Sequence, residues 1–346
     1  MIGMRRFEGF QKGINLGGWL SQLVGTDDAH FSTFVTEADI ERIASWGLDH
    51  VRLPIDCDVV FEDMGRAIGP RMSCVDDCVN WCEKHGLRVL LDLHKTYGYM
   101  FDTAVVPDPD RFFEDEALQE AFYRIWDTLS KRYGNRPELI AFDLLNEVTN
   151  PAQAQNWNRI AAECVKVVRR NAPGTYILIG GVMNNHVESV PLLDPPADDR
   201  IVYNFHCYEP LPFTHQQAFW VKGMPADFTI AYPETRAAYK EASQRLLGWN
   251  EHIGPEDQKM IDESYFDEMF RPALEMAEKW NTPLYCGEYG VIERAGLNDT
   301  VNWLRDIHAV FDRYGIGRAI WTYKVHNFGL TGAHYAPMLD EIIQNL

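Results

Sequence analysis

Short apolar runs recur along the chain, each followed by a stretch whose apolar positions fall three or four residues apart. The runs are Gly13–Leu20 (GINLGGWL), His50–Ile55, Arg88–His94, Ile140–Glu147 (IAFDLLNE), Thr175–Gly181, Ile201–Tyr208, Pro283–Gly290 and Gly317–Lys324. Near-continuous apolar content suits strands buried on both faces. Helical patterns follow over Glu37–Trp46, Val75–His85, Glu116–Tyr133, Ala154–Arg170, Tyr265–Trp280 and Thr300–Tyr314. Such alternation predicts a parallel sheet wrapped in helices, and eight strands favour closure into a (β/α)8 barrel. No GxGxxG follows the first strand, which removes the main motif of an open doubly wound sheet. Residues 1–346 show no linker or low-complexity tract and are expected to form a single barrel domain. The connection from Glu209 to about Ser264 is long and aromatic (Phe213, Phe219, Trp220, Tyr232, Tyr239, Trp249). It is expected to form part of the active-site cleft, as a lid with some helix.

The exceptions to the apolar rule gather toward one end of the runs. Strand two carries Arg52, strand three His94, and strand four Asn146 and Glu147. Strand six carries His206 and Tyr208, strand seven Glu288, and strand eight Trp321. In a barrel the C-terminal strand ends meet at one mouth, where active sites of this fold lie. Packing alone would place Val, Ile or Leu there. Two carboxylates, an arginine and two histidines cost several kcal/mol each to bury unless they serve one another or a ligand.

Composition narrows the partner. Fifty-one acidic against 32 basic residues give a net charge of −19. That balance disfavours nucleic acid and anionic membrane and suits a neutral ligand. Ten Trp, 15 Tyr and 18 Phe offer rings on which sugars stack, although rings also fill large cores. No stretch approaches the roughly 20 apolar residues of a membrane-spanning helix. The opening MIGMRRFEGFQKGINLGG lacks the apolar run of a signal peptide. Seven cysteines without paired spacing fit free thiols. A chain beginning at its natural start would therefore be cytoplasmic. Cys74, Cys78 and Cys82 recur every four residues, as a helix core face does.

Two glutamates on nearly opposite strands suggest a chemistry. Glycoside cleavage needs an acid for the leaving oxygen and a carboxylate at the anomeric carbon, about 5–5.5 Å apart when configuration is retained. Asn146 can reach a sugar 2-hydroxyl, while Arg52 and Tyr208 can donate to a carboxylate.

The set resembles glycoside hydrolase family 5, the cellulase-like family, across essentially the whole chain. The matching segments are VRLP, LLDLH, FDLLNE, HCY, CGEYG and IWTYK. GINLGGWL is similar to the start of exo-β-glucanase-type and related bacterial members; it would bring Trp19 near the mouth, with a core tryptophan the equal alternative. The resemblance implies a retaining β-glycosidase with Glu147 as acid/base and Glu288 as nucleophile. It implies Arg52, His94, Asn146, His206 and Tyr208 as braces, Trp321 as the floor of the −1 sugar site, and neither cofactor nor metal. The expected partner is a β-linked glucoside or glucan oligosaccharide. A long connection closing one end would make the enzyme exo-acting; an endo-β-1,4-glucanase or a β-mannanase are the alternatives within the family.

Two other classes compete. A metal-dependent barrel hydrolase would want His-x-His on strand one, where Asn15 and Trp19 stand. A non-catalytic sugar-binding barrel would be expected to lose one of the two glutamates, and both are present. Tyr97, Tyr99 and Phe101 either wall a sugar subsite or pack their loop. Asp27 and Asp28 read as a solvated loop.

Overall fold

A computed structural model describes residues 4–248 and 253–346. Among these residues eight parallel strands close into a barrel: β1 (Lys12–Asn15), β2 (His50–Asp56), β3 (Arg88–Lys95), β4 (Ile140–Asp143), β5 (Tyr176–Gly180), β6 (Ile201–Cys207), β7 (Leu284–Tyr289) and β8 (Gly317–Ile320). Each strand pairs with the next, and β8 pairs back onto β1, so no edge is left open. The outer ring comprises α1 (Glu37–Ser45), α2 (Met72–Lys84), α3 (Glu116–Tyr133), α4 (Ala154–Asn171), α5 (Arg236–Leu247), α6 (Glu263–Trp280), α7 (Leu297–Tyr314) and α8 (Leu339–Asn345). A short 3-10 segment, Val187–Leu192, stands where the fifth helix would lie.

The helices form for local reasons. In α3 the Asp115 side chain caps Ala117 N–H, and Lys131 and Arg132 occupy the last turn. Leu118, Phe122, Ile125, Trp126 and Leu129 make its buried stripe. Cys78 and Cys82 lie on the buried face of α2, with Cys74 half-buried, and all seven cysteines are free. No helix among the described residues is long and apolar enough to cross a membrane.

The barrel interior is layered. Inward positions recur every second residue. Leu90, Ala141, Leu178, Val202, Tyr285 and Ala319 form one buried cluster, stoppered by Phe7 and Phe10 from the segment before β1. Two residues further along β3, β4 and β6 come Asp92, Asp143 and Asn204, all fully buried. Another two along β3 and β6 come His94 and His206. The interior thus turns from apolar side chains to carboxylates and an amide, and then to imidazoles, as it rises toward the mouth.

Three of the anticipated strands stop well before the ends of their apolar runs. β1 stops at Asn15, β4 at Asp143 and β8 at Ile320. Arg52 sits in the middle of β2, while Asn146 and Glu147 lie beyond the end of β4. Trp19 belongs to the core: it is buried, stacks on Trp81 and donates from Nε1 to Phe31 O. In the long connection Phe213, Tyr232 and Tyr239 are buried, whereas Phe219 and Trp220 are 81% and 44% exposed. Trp249 lies outside the described residues.

Candidate active site

Glu288 owes its orientation to a bulge. Simple alternation after inward Tyr285 would turn Gly287 inward and Glu288 outward. Instead the β6–β7 register shifts, so that Phe205 faces Cys286 while His206 faces Glu288. The extra residue turns both Gly287 and Glu288 toward the interior. Only glycine fits there: a Cβ on Gly287 would lie 2.7 Å from Asn204 Oδ1 and 3.0 Å from His206 Nε2. Glu147 is placed differently. It has φ +48°, a left-handed conformation that is costly for a side-chain-bearing residue. Tyr99 holds that loop, donating to Glu147 O at 2.7 Å and accepting from Thr149 N at 2.9 Å.

The two carboxylates meet across the mouth. Single oxygens of Glu147 and Glu288, together with a ring nitrogen of His206, lie within 4.8 Å of one another. His206 Nδ1 is 2.8 Å from Glu147 Oε1 and 3.8 Å from Glu288 Oε2. A divalent ion would accept such a trio in principle, but the His206–Glu147 hydrogen bond already joins two of its members. Burial pulls His206 down to about 3, so the ring is neutral and donates through a single N–H. Burial raises Glu147 above the usual carboxylate range, against the opposing hydrogen bond from Asn184.

Glu288 is gripped by two donors. Arg52 Nη1 donates to Oε1 at 2.8 Å and the Tyr208 hydroxyl donates to Oε2 at 3.0 Å. Burial, then the charge of Glu288, holds the Tyr208 phenol well above its ordinary range, so it keeps the proton it donates. Arg52 is fully buried. Its Nη2 lies 3.1 Å from both Asp92 Oδ2 and Asp143 Oδ2 and 2.9 Å from Asn146 Oδ1, and Nη1 also reaches Asn15 Oδ1 at 3.0 Å. Burial works against this cation, and the surrounding Asp92, Asp143 and Glu288 outweigh it. The same burial pushes Asp92 and Asp143 up to about 7 even beside Arg52. His94, neutral through burial, sits 2.8 Å from Asp92 Oδ2 through Nδ1 and 3.0 Å from Gln22 Nε2 through its other nitrogen. Trp321 stacks on His94, with ring centroids 5.8 Å apart. Gly17 makes room for that indole: a Cβ there would lie 2.7 Å from it.

The sequence pattern of the family Cellulase (glycosyl hydrolase family 5) matches residues 11–327. The chain belongs to glycoside hydrolase family 5. It is 41% identical over 316 residues to cellodextrinase A of Ruminococcus flavefaciens, covering 91% of this chain and 86% of that one. It is 38% identical over 340 residues to endoglucanase C of Acetivibrio thermocellus, covering 97% and 98%. Cel5A of Thermotoga maritima, solved in complex with cellobiose, superposes with a TM-score of 0.74 at 23% identity over 96% of this chain and 97% of that one. That likeness supports the barrel fold.

All eight residues expected in this family 5 site converge on one mouth. Arg52, Asn146, Tyr208 and Glu288 form one hydrogen-bonded group, Glu147 and His206 a second, and His94 and Trp321 a stacked pair beside them. Of the open cases, Tyr99 is a fully buried brace and Phe101 packs edge-on against His94. The Tyr97 hydroxyl reaches Phe61 O at 3.4 Å. Asp27 caps a short helix, and Asp28, exposed, pairs with Arg71. The sequence pattern assigned no site role to Asn15, Gln22, Asp92, Asp143, Asn184 and Asn204. Two of these left a visible signal, a lone aspartate inside each apolar run of LLDLH and IAFDLL.

Proposed function

We propose that this family 5 glycoside hydrolase cleaves β-1,4-glucosidic bonds in soluble glucan chains and cello-oligosaccharides, with retention. Glu147 acts as acid/base and Glu288 as nucleophile. The observation that carries the retaining mechanism is the approach of one oxygen of each glutamate to within 4.8 Å of the other, which suits the roughly 5–5.5 Å between carboxyl groups of retaining pairs better than the roughly 6.5–9.5 Å that an inverting water requires. The environments support these roles. Glu147, in contact with neutral donors, keeps a proton to deliver to the leaving oxygen, while Glu288 receives charge-assisted bonds that hold it ready to attack. After attack the Glu288–C1 ester is cleaved by water, whose proton returns to Glu147. Asn146, anchored by Arg52, is placed to meet the sugar 2-hydroxyl.

The β-1,4 linkage is supported by the relatives named cellodextrinase and endoglucanase, which match at 37–41% identity. A relative named probable glucan 1,3-beta-glucosidase A, of Aspergillus niger, matches 40% of this chain at 28%. An aromatic strip supports a chain-like ligand. Trp321 and Phe328 share one cluster, Phe328 approaches Tyr208 and Trp220 at 5.8 Å and 6.5 Å, and Phe219 packs on Trp220.

Azide tests the mechanism. Glu288→Ala should lose turnover and, with azide, give an inverted glycosyl azide; Glu147→Ala should give the retained azide from an activated aryl glycoside. Products of the opposite stereochemistry would reverse the assignment. Digestion of cello-, laminari- and manno-oligosaccharides tests linkage and mode. Preferential internal shortening of cello-oligosaccharides is expected, and release of single sugars from one end only would mean exo-action.

A further inference from the structure

The loop after β5 contains an unusual backbone. Met183, Asn184 and Asn185 have φ of 56°, 56° and 57°, three consecutive side-chain-bearing residues in the left-handed region. Single residues visit this region; a run of three is strained and needs support from its surroundings. That support comes from the site. Asn184 N donates to Val148 O at 3.0 Å, and His206 N donates to Asn185 O at 2.8 Å, so the turn is tied to the segments bearing both members of the Glu147–His206 pair. Asn185 is fully buried, its amide 3.4 Å from His206 Nε2. The Asn184 side chain, exposed at the mouth, places Nδ2 3.2 Å from Glu147 Oε2.

We propose that Asn184 is a positioning residue for the acid/base: presented by this turn, its amide holds Oε2 of Glu147 and sets the pH range over which that carboxyl retains its proton. The inference rests on the reading of Glu147 as acid/base. The carboxyl is held from both sides, by His206 on Oε1 and by Asn184 on Oε2. The other groups facing it are Glu288 from β7, Tyr208 after β6, His94 and Asp92 from β3 and Arg52 from β2, with Tyr99 on its carbonyl. Asn184 is the neutral donor among them that contacts Oε2 directly. A donor to a carboxylate favours the ionised form and so opposes burial, which favours the acid. Removing the amide should extend the acid form to higher pH.

The test compares pH profiles of kcat/KM for wild type, Asn184→Gly, Asn184→Asp and Glu147→Gln. Each is measured on a cello-oligosaccharide and on an aryl cellobioside with a good leaving group. Glycine suits φ near +56° and deletes only the side chain. In Asn184→Gly the basic limb on the cello-oligosaccharide should move up by about half to one pH unit. In Asn184→Asp it should move further, since a second carboxylate beside Glu147 disfavours its ionisation. The aryl substrate, which needs little acid help, should show a smaller displacement. An unmoved limb in Asn184→Gly, or a uniform loss of activity at every pH, with Glu147→Gln inactive on the cello-oligosaccharide, would overturn the proposal alone. Full activity of Glu147→Gln on that substrate would instead remove the acid/base reading and this inference with it.

Discussion

The lower and upper halves of the barrel interior are built from the same strands by opposite rules. Below, Leu90, Ala141, Leu178, Val202 and Ala319 pack on a stopper of Phe7 and Phe10. Above, the next inward positions are Asp92, Asp143 and Asn204, and then His94 and His206. The lower half gains from removing apolar surface from water, about 25 cal/mol per Å². The upper half forgoes that gain and buries charge that only mutual contact makes tolerable. Arg52 faces three carboxylates, and the Oδ1 atoms of both Asp92 and Asp143 are buried without a partner. The proposed function gives that cost a reason, since a site suited to reaction is commonly built at the expense of stability.

Substitutions should separate the halves. The largest effect is expected at Arg52→Ala, which leaves Asp92, Asp143 and Glu288 uncompensated. It should destabilise the fold by about 3–5 kcal/mol and abolish turnover, as read by denaturant unfolding and by assay. Wild-type stability in that variant would mean that the buried acids carry no charge needing a partner. Leu178→Ala, in the lower half, should cost about 2–5 kcal/mol yet leave kcat/KM of the folded enzyme near wild type. A large loss of kcat/KM at temperatures where it stays folded would show that the two halves are mechanically coupled.

A third contrast concerns pH. Burial raises Asp143 to about 7 in the folded protein from 3.8 in the open chain, so the native state binds the extra proton between those values. Its contribution to stability is therefore full below about pH 4 and is lost as pH rises through about 7. Asp143→Asn, which cannot ionise, should gain stability relative to wild type across that window, by an amount on the order of a few kcal/mol. A stability difference independent of pH from 4 to 7 would show that Asp143 stays ionised throughout. The smallest effect is expected outside the barrel. Trp220→Ala should raise KM for longer cello-oligosaccharides by roughly tenfold, about the worth of one stacked ring, with little change for aryl glucosides. Equal changes for both substrates would place the ring near the reacting sugar instead of along the chain.

Much of this arrangement was legible in the sequence, because strand positions are set by local apolar patterning and polar exceptions stand out against it. Arg52, His94, His206 and Glu288 could be found that way. Their partners were harder to see. Asp92 and Asp143 sit inside apolar runs, and their meaning depends on Arg52 arriving from another strand. Asn184 and Gln22 come from loops, which carry no periodicity to violate. Trp19 had no local feature to separate core from mouth.

By itself the sequence determined the eightfold alternation and the residue types gathered near one rim, since hydrophobic period and strand order are properties of a single chain segment read in turn. Only the tertiary structure decided how those residues face one another. Strand pairing inserts Gly287 as a bulge and turns Glu288 inward, and a left-handed backbone carries Glu147 past the end of β4 to meet it. Both are outcomes of register and contact between distant segments, and no local rule of alternation contains them.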